Sequence, residues 1–452
     1  MRAPDRNMAE GRSPAVEPVE VSIMTVAHRT SGNRVRHAAD VDLADPDFWR
    51  LPRPDRLRAF ARLRELDEPV LFTPGPGAAR TSGKPFYALV RHADVRTASR
   101  TPQVFASAPG VTTPEPARWA RALFGDSMVS MDGVEHAALR RIVSRRFTPR
   151  LLAAAEENIG RLAGRLVDEM VQARSGDFMP SAASRLPLEV ICDLMGIPGA
   201  YRARIAAQID HASEHVGVAR RGRARIRIPG RGLASLARMR LLMARLAHER
   251  RRRPQDDLVS ALVCADVDGE ALSARRLGAF FSLLLVAGVE TTRNALAHGL
   301  SLLHRHPEQQ ALLRSDFDRH IGGAVDEIVR HSTPIIQFRR TVVAEFRLGG
   351  RTFRPGERVA LVYASANRDE AVFTRPDIFD ITRSPNPHLG YGGGGPHHCL
   401  GAHLARLEMT ALFREILTRG RVVPRPGDPR LIDANFDNRV GSLPLTFGPA
   451  FT

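Results

Sequence analysis

Only three cysteines occur in 452 residues. So few cannot form a disulfide framework, which excludes the stapled folds of small secreted domains. Also missing is any apolar run of the roughly 20 residues that a membrane-spanning helix needs. The most apolar stretch, FFSLLLVAGV from Phe280 to Val289, is too short. No linker interrupts the chain beyond about Asp40, so one large domain is expected over 41–452. The first forty residues differ: they are rich in proline and charge and show no sustained periodicity, which predicts a disordered leader. No secretory signal starts there. These absences point to a cytoplasmic protein.

Acidic residues are outnumbered, 49 against 66 basic ones, for a net charge of +17 and a pI near 11.2. Arginine dominates the excess, with clusters at Arg220–Arg227 and Arg250–Arg253. Polyanions bind such surfaces without a designed site. Yet there is no recognisable nucleic-acid module, nor are aromatics interleaved with the basic residues, so no specific nucleic-acid partner is expected. The arginines of 220–231 read as a solvated loop, with a carboxylated or carrier-bound substrate as the alternative.

What is present begins with HLGYGGGGPHHCLGA, residues 388–402. Four consecutive glycines and a proline cannot form a packed helix or strand, and glycine lets a main chain approach a neighbour closely. The run presents Cys399. After it, Leu404, Leu407, Ala411, Leu412 and Ile416 recur at helical spacing, which places Cys399 just before a helix N-terminus, where a thiolate is stabilised. Zinc is an alternative, since His388, His397, His398 and His403 lie nearby, but no familiar Cys/His ligand spacing is present. A Cys-His hydrolase has no matching local signature either. Cys192 and Cys264 read as inert core residues.

Upstream, LGAFFSLLLVAGVETTRNALAHGLSLLHRH reads as one long helix, with Phe281, Leu284, Gly288, Thr291 and Ala295 on one face. Glu327 and Arg330 stand at helical i, i+3 spacing, a pattern that alone means little. His136 and Arg140 are four apart on a further helix, and Arg339 follows nine residues after Arg330.

Together these segments resemble the cytochrome P450 superfamily. Gly395, His397, Cys399 and Gly401 fill the last positions of the family's haem-thiolate loop. Tyr391 stands where the family most often has phenylalanine, one residue further from the cysteine. AGVETT matches the oxygen-binding helix, and ANRDEAVFTRPDIFDITR matches the meander before the cysteine loop. The resemblance implies a mainly α P450 fold, with long helices around a buried haem and small β-sheets. It makes Cys399 the axial ligand of haem b iron, whose electron donation favours O–O cleavage, and Thr291 and Glu290 the proton path. Thr291 is further expected to break the helical ladder into a bulged groove.

By the same resemblance His136, Arg140, Arg339 and His397 hold the haem carboxylates, and Ala287, Gly288, Tyr391, Gly392, Leu400, Gly401 and Ala405 line the cofactor. Glu327, Arg330 and Arg383 form a structural ion network. Trp119, Phe124, Met128, Ala287 and Ile336 face the substrate. The implied activity is hydroxylation of a hydrophobic small molecule of the steroid, terpenoid or branched-lipid class, using O2 and electrons from a separate ferredoxin and its reductase. The alternative substrate is a polyketide or other secondary metabolite. Arg140, Arg141, Arg145 and Arg146 are candidates for the redox-partner face.

Overall fold

A computed structural model describes residues 41–74, 84–113, 127–144, 149–213, 230–264, 266–267, 270–418 and 422–449. The first forty residues, Trp119, Phe124, Arg145, Arg146 and the stretch 220–229 lie outside the described residues. Seven helices position the site: α1 (His92–Arg100), α2 (Gly133–Ser144), α3 (Pro149–Ala173), α4 (Arg185–Leu194), α5 (Ala274–Arg305), α6 (Phe317–Ser332) and α7 (Ala402–Thr418). Helices α3 to α7 bury their apolar stripes in one core that includes Leu166, Leu186, Leu300, Ile328 and Phe413. Among the described residues no helix is long and apolar enough to cross a membrane.

Helix α5 starts where the Ser273 side chain accepts the Arg276 N–H at 3.3 Å, satisfying an otherwise orphaned donor. It ends before Pro307, which opens the next helix. Asp316 caps α6 in the same way. That helix stops at Thr333, whose φ of 43° is left-handed. The Thr333 hydroxyl donates to Arg330 O at 2.8 Å and accepts from Asn367 at 2.9 Å, and these bonds hold a conformation unusual for a non-glycine residue.

The reversal feeds a five-stranded sheet of β1 (Val70–Phe72), β2 (Phe86–Leu89), β3 (Phe105–Ala106), β4 (Gln337–Val342) and β5 (Arg358–Val362), in the order β1-β2-β5-β4-β3. β5 runs parallel to β2, with Ala360 opposite Ala88, and antiparallel to β4, with Ala360 opposite Arg339.

Two expectations about the surface and core are corrected. Cys264 is exposed, because the short helix Leu258–Val263 ends at it, whereas Cys192 is buried and its thiol is pushed up to about 12 by burial. Arg250 is not part of a basic surface: it is buried, bonded to Asp257 Oδ2 at 2.6 Å and to Gly196 O at 2.9 Å.

Candidate active site

The Cys399 loop is closed by its own backbone, with the Cys399 N–H donating to Tyr391 O at 2.9 Å. Gly392, Gly394 and Gly395 have φ of 98°, 85° and 77°. The close approach that glycine permits is made here to α1: a Cβ on Gly393 would fall 2.4 Å from Ser99 Oγ, and one on Gly395 2.6 Å from Ser99 O. Tyr391 lies under the Arg406 guanidinium, 4.4 Å from the ring centre. Its hydroxyl has no hydrogen-bond partner among the described residues, and burial raises its pKa. Cys399 lies three residues ahead of α7 and is accessible although protein surrounds it. Burial pushes its thiol up, while the Gly401 N–H, Arg140 and Arg406 act in the opposite direction.

Helix α5 presents one open face in the middle of the molecule. Ala287 is exposed and Leu284, Gly288 and Thr291 are half-exposed, whereas Phe281 and Ala295 at either end are buried. The expected bulge is absent. α5 is α-helical throughout, because the Thr291 hydroxyl donates to Ala287 O at 2.7 Å and is satisfied within the helix. Glu290 is buried and paired with Arg293 at 2.8 Å.

A third group gathers beside the cysteine loop. The His136 and His397 rings lie 4.2 Å apart, and His397 Nε2 meets Ser107 Oγ at 3.0 Å and Asp132 Oδ1 at 3.2 Å. His136 is lowered to about 4 by burial, then by His397 and Arg140. Asp132, which burial alone would raise, is held at about 2 by hydrogen bonds from His397 and from the Ala108 and Ser107 N–H groups. Arg140 faces Cys399 electrostatically. Arg339 donates to Gly110 O at 2.6 Å. Its neighbour Arg340, buried among Tyr363 and Phe338, has Asp132 within electrostatic reach. Met128 is buried in the apolar cluster with Ile191 and Val289, and Ile336 in the cluster with Trp49 and Phe60.

Behind this group Glu327 and Arg330 are both 0% exposed. They share two bonds of 2.7 Å, and Arg383 reaches Glu327 Oε1 at 3.3 Å.

A family model described as Cytochrome P450 matches residues 236–447. A methyl-branched lipid omega-hydroxylase of Mycobacterium tuberculosis is 41% identical over 430 residues, covering 90% of this chain and 95% of that protein. The chain belongs to the cytochrome P450 family. A steroid C26-monooxygenase of Rhodococcus jostii is 34% identical over 423 residues, covering 90% of this P450 and 85% of the relative. A solved Mycobacterium marinum cytochrome P450 in complex with pseudoionone superposes with a TM-score of 0.82 at 39% identity, covering 90% and 98% of the two chains. This protein is therefore a P450 monooxygenase of mainly α fold, and its cofactor is haem b.

The residues present fit that group. A Cβ on Gly401 would meet nothing within 4 Å, and one on Gly288 only the Ile191 side chain at 3.9 Å, so a flat molecule has room against the main chain at both positions. The Cys399 sulfur is accessible, and His136, Arg140 and His397 collect nearby as donors for carboxylates. Zinc has no such fit. Among the described residues no group of three His, Cys, Asp or Glu side chains is placed to hold a metal ion, and His388 turns away to Asp326. Sequence reasoning missed Asp132, Ser107, Arg340, Arg406 and the Arg293 partner of Glu290. The Arg339-Arg340 doublet and the i, i+3 spacing of Glu290 and Arg293 were the available signals.

Proposed function

We propose that this P450 hydroxylates a hydrophobic small molecule of the branched-lipid, terpenoid or steroid class. The observation that carries the reading is the open face of α5. Leu284, Ala287 and Gly288 offer it apolar surface, and its one polar group is the Thr291 hydroxyl, already bonded to Ala287 O. The names of the methyl-branched lipid and steroid relatives support the same class. When bound, haem b supplies dioxygen activation and insertion of one oxygen atom into a C–H bond, chemistry that no side chain provides.

The chain's own residues do the rest. Cys399 provides the thiolate ligand, and Tyr391 O holds its backbone in place. His136, Arg140, Arg339, Arg340 and His397 bind the cofactor carboxylates, the arginines through planar forks suited to them. Gly392, Leu400, Gly401 and Ala405 carry the loop past the cofactor face. Glu290 takes a proton from water, and Thr291 Oγ1 presents it where oxygen is reduced. Met128, Ala287 and Ile336, with Trp119 and Phe124 outside the described residues, are the proposed substrate contacts. Electrons come from a separate ferredoxin and its reductase in the cytoplasm, and the exposed Arg141 on α2, next to Arg140, supports an acidic partner. The catalytic unit is one domain over 41–452.

The test is a panel of branched fatty acids, sterols, terpenoids and macrolides. Binding is read by the spin-state shift of the haem-loaded protein and turnover by mass spectrometry. Saturable shifts and hydroxylated product are expected from the first three classes. A response to macrolides alone would overturn this reading in favour of polyketide tailoring.

A further inference from the structure

Beside the Glu327–Arg330 pair, arginines from three distant parts of the chain gather where two helices end and another begins. Arg53 and Arg56 stand at i, i+3 spacing in the first turn of the helix Arg53–Arg64, so they share a face. Arg305 closes α5, and Arg368 follows β5. Arg53 Nη2 donates to His331 O at the end of α6, and Arg368 Nη2 donates to the same oxygen at 3.0 Å. Two guanidiniums thus meet over one carbonyl. Capping of this kind suits a helix C-terminus, but the helix dipole supplies only roughly half an elementary charge there.

Carboxylates do not make up the difference. Glu327 is taken by Arg330, and Asp55, in the same turn as Arg53, is taken by Arg58. Asp377 lies 3.2 Å from Arg368 but is 83% exposed, and Asp433 acts on Arg56 from the surface. Arg305 bonds back into its own helix, to Ser301 O and Oγ at 3.3 and 2.8 Å. The Arg56 Nε is shut away from solvent with no acceptor among the described residues. The crowding shows in ionisation: burial, then Arg56 and Arg305, lower Arg53 to about 10, and burial with these arginines keeps His331 and His298 neutral.

We propose that Arg53, Arg56 and Arg305 form an oxyanion site that takes a phosphate group. Arg53 and Arg56 are half-buried and Arg305 is exposed, so a ligand reaches them from solvent, while the buried Arg368 sets the local charge from behind. A phosphate monoester brings several acceptor oxygens and a charge of roughly −2. Guanidinium forks match it with paired hydrogen bonds, and the Arg56 Nε gains the acceptor it lacks. The helix Arg53–Arg64 starts without a side-chain cap, so its N-terminal dipole acts in the same sense. Bound phosphate ties that helix to the ends of α5 and α6. The site is independent of the roles given to Cys399 and Thr291, and its occupant is either a soluble phosphate ester or the headgroup of an anionic lipid.

The experiment titrates the haem-loaded full chain with inorganic phosphate against sodium chloride at constant ionic strength, with melting followed by the Soret band. Phosphate is excluded from protein surfaces and stabilises folds in general, so the quantity that counts is the difference between wild type and variant. Arg305→Gln alters a surface side chain. Saturating phosphate should raise the wild-type melting temperature by roughly 3 °C more than that of Arg305→Gln, and Arg53→Gln should lose the same increment. In chloride alone Arg305→Gln should melt within about 2 °C of the wild type. A crystal grown in phosphate, a readout independent of melting, should show the ion bonded to Arg53, Arg56 and Arg305.

Vesicles of phosphatidic acid in phosphatidylcholine separate the two sources. Cosedimentation that free phosphate competes away and Arg305→Gln abolishes assigns the group to a lipid headgroup. Phosphate-dependent melting without cosedimentation assigns it to a soluble ester. An equal phosphate shift in the wild type and Arg305→Gln, or a phosphate-grown crystal with no ion at these arginines, would overturn the proposal and leave the cluster as a helix cap alone.

Discussion

Replacing Arg330 by alanine should strip the protein of stable haem, and the structure sets the size of the effect. Arg330 makes two bonds of 2.7 Å to Glu327, donates at 2.8 Å to Asn367 O and Pro376 O, and donates at 3.2 Å to Ile378 O. The Glu327 carboxylate would not be left bare, because Arg383 at 3.3 Å, Asn386 at 3.1 Å and the Asp380 N–H at 3.0 Å remain. Of the three meander carbonyls, Asn367 O and Pro376 O would lose this donor, whereas Ile378 O keeps Arg383 Nη2 at 3.1 Å. At about 1 kcal/mol or more for each buried acceptor left unmade, and with the carboxylate less well paired, the loss is about 3 to 5 kcal/mol, the usual range for breaking a buried pair on one side. That is a large part of the roughly 5 to 15 kcal/mol by which a domain is stable. Arg330→Lys keeps the charge but not the planar fork, so it should fall between the wild type and Arg330→Ala. Urea unfolding followed by the Soret band, with the haem-to-protein ratio, measures both. Full haem loading and a stability within about 1 kcal/mol of wild type for Arg330→Ala would refute the argument.

Cys399→Ser should abolish the red-shifted Soret band of the reduced carbon monoxide adduct even where haem is retained; a variant that kept the band would remove Cys399 from the iron. Thr291→Ala should keep haem and substrate binding but divert reducing equivalents to hydrogen peroxide, measured as product per NAD(P)H consumed; unchanged coupling would show that another group carries the proton. Gly395→Ala places a Cβ 2.6 Å from Ser99 O at a φ of 77°, so about 1 to 3 kcal/mol of stability should be lost, and an alanine variant with the wild-type melting curve would count against the tight packing of the loop on α1. Burial alone raises Glu408 to about 8. Its folded pKa lies above its unfolded one, so its contribution is most favourable below the ordinary glutamate range and is lost as pH rises through about 8. Glu408→Gln should therefore gain stability relative to wild type between pH 5 and pH 9 by urea titration, and a constant difference across that window would show that the carboxyl is not shifted.

Much of this could be read from residue spacing. The long helix follows from the three- and four-residue recurrence of Phe281, Leu284, Gly288, Thr291 and Ala295, and it is there as a single helix from Ala274 to Arg305. The Gly-Gly pair at Gly349-Gly350 marks a turn by itself, and there both φ angles are positive and two antiparallel strands, Phe346–Leu348 and Arg351–Phe353, meet across it. Local chemistry of this kind is carried by neighbours in the chain. The remainder depends on partners brought from afar. That Arg250 is buried against Asp257 could not be told from a run of four arginines, since the burial comes from Gly196 and the packing around it. Nothing near Glu290 announces Arg439, 149 positions later, as a neighbour. The absent bulge at Thr291 is a different kind of failure: a hydroxyl inside a helix can either disrupt the ladder or bond back into it, and only the surrounding packing decides.

The packing of the glycine loop against α1 also bears on how the protein is made. Ser107 and His397, joined at 3.0 Å, are 290 residues apart in the chain, and the contacts of Gly393 and Gly395 with Ser99 span slightly further. Contacts of such separation form late, because the entropy of closing the loop must be met before they contribute anything. The pocket for haem is thus a product of chain closure, and a ribosome must release the chain through the glycine loop before one wall of the pocket can meet the other. Haem supplied during refolding from denaturant should accordingly be captured with the slow, long-range phase. Capture in the earliest phase would mean that the C-terminal loop organises without α1.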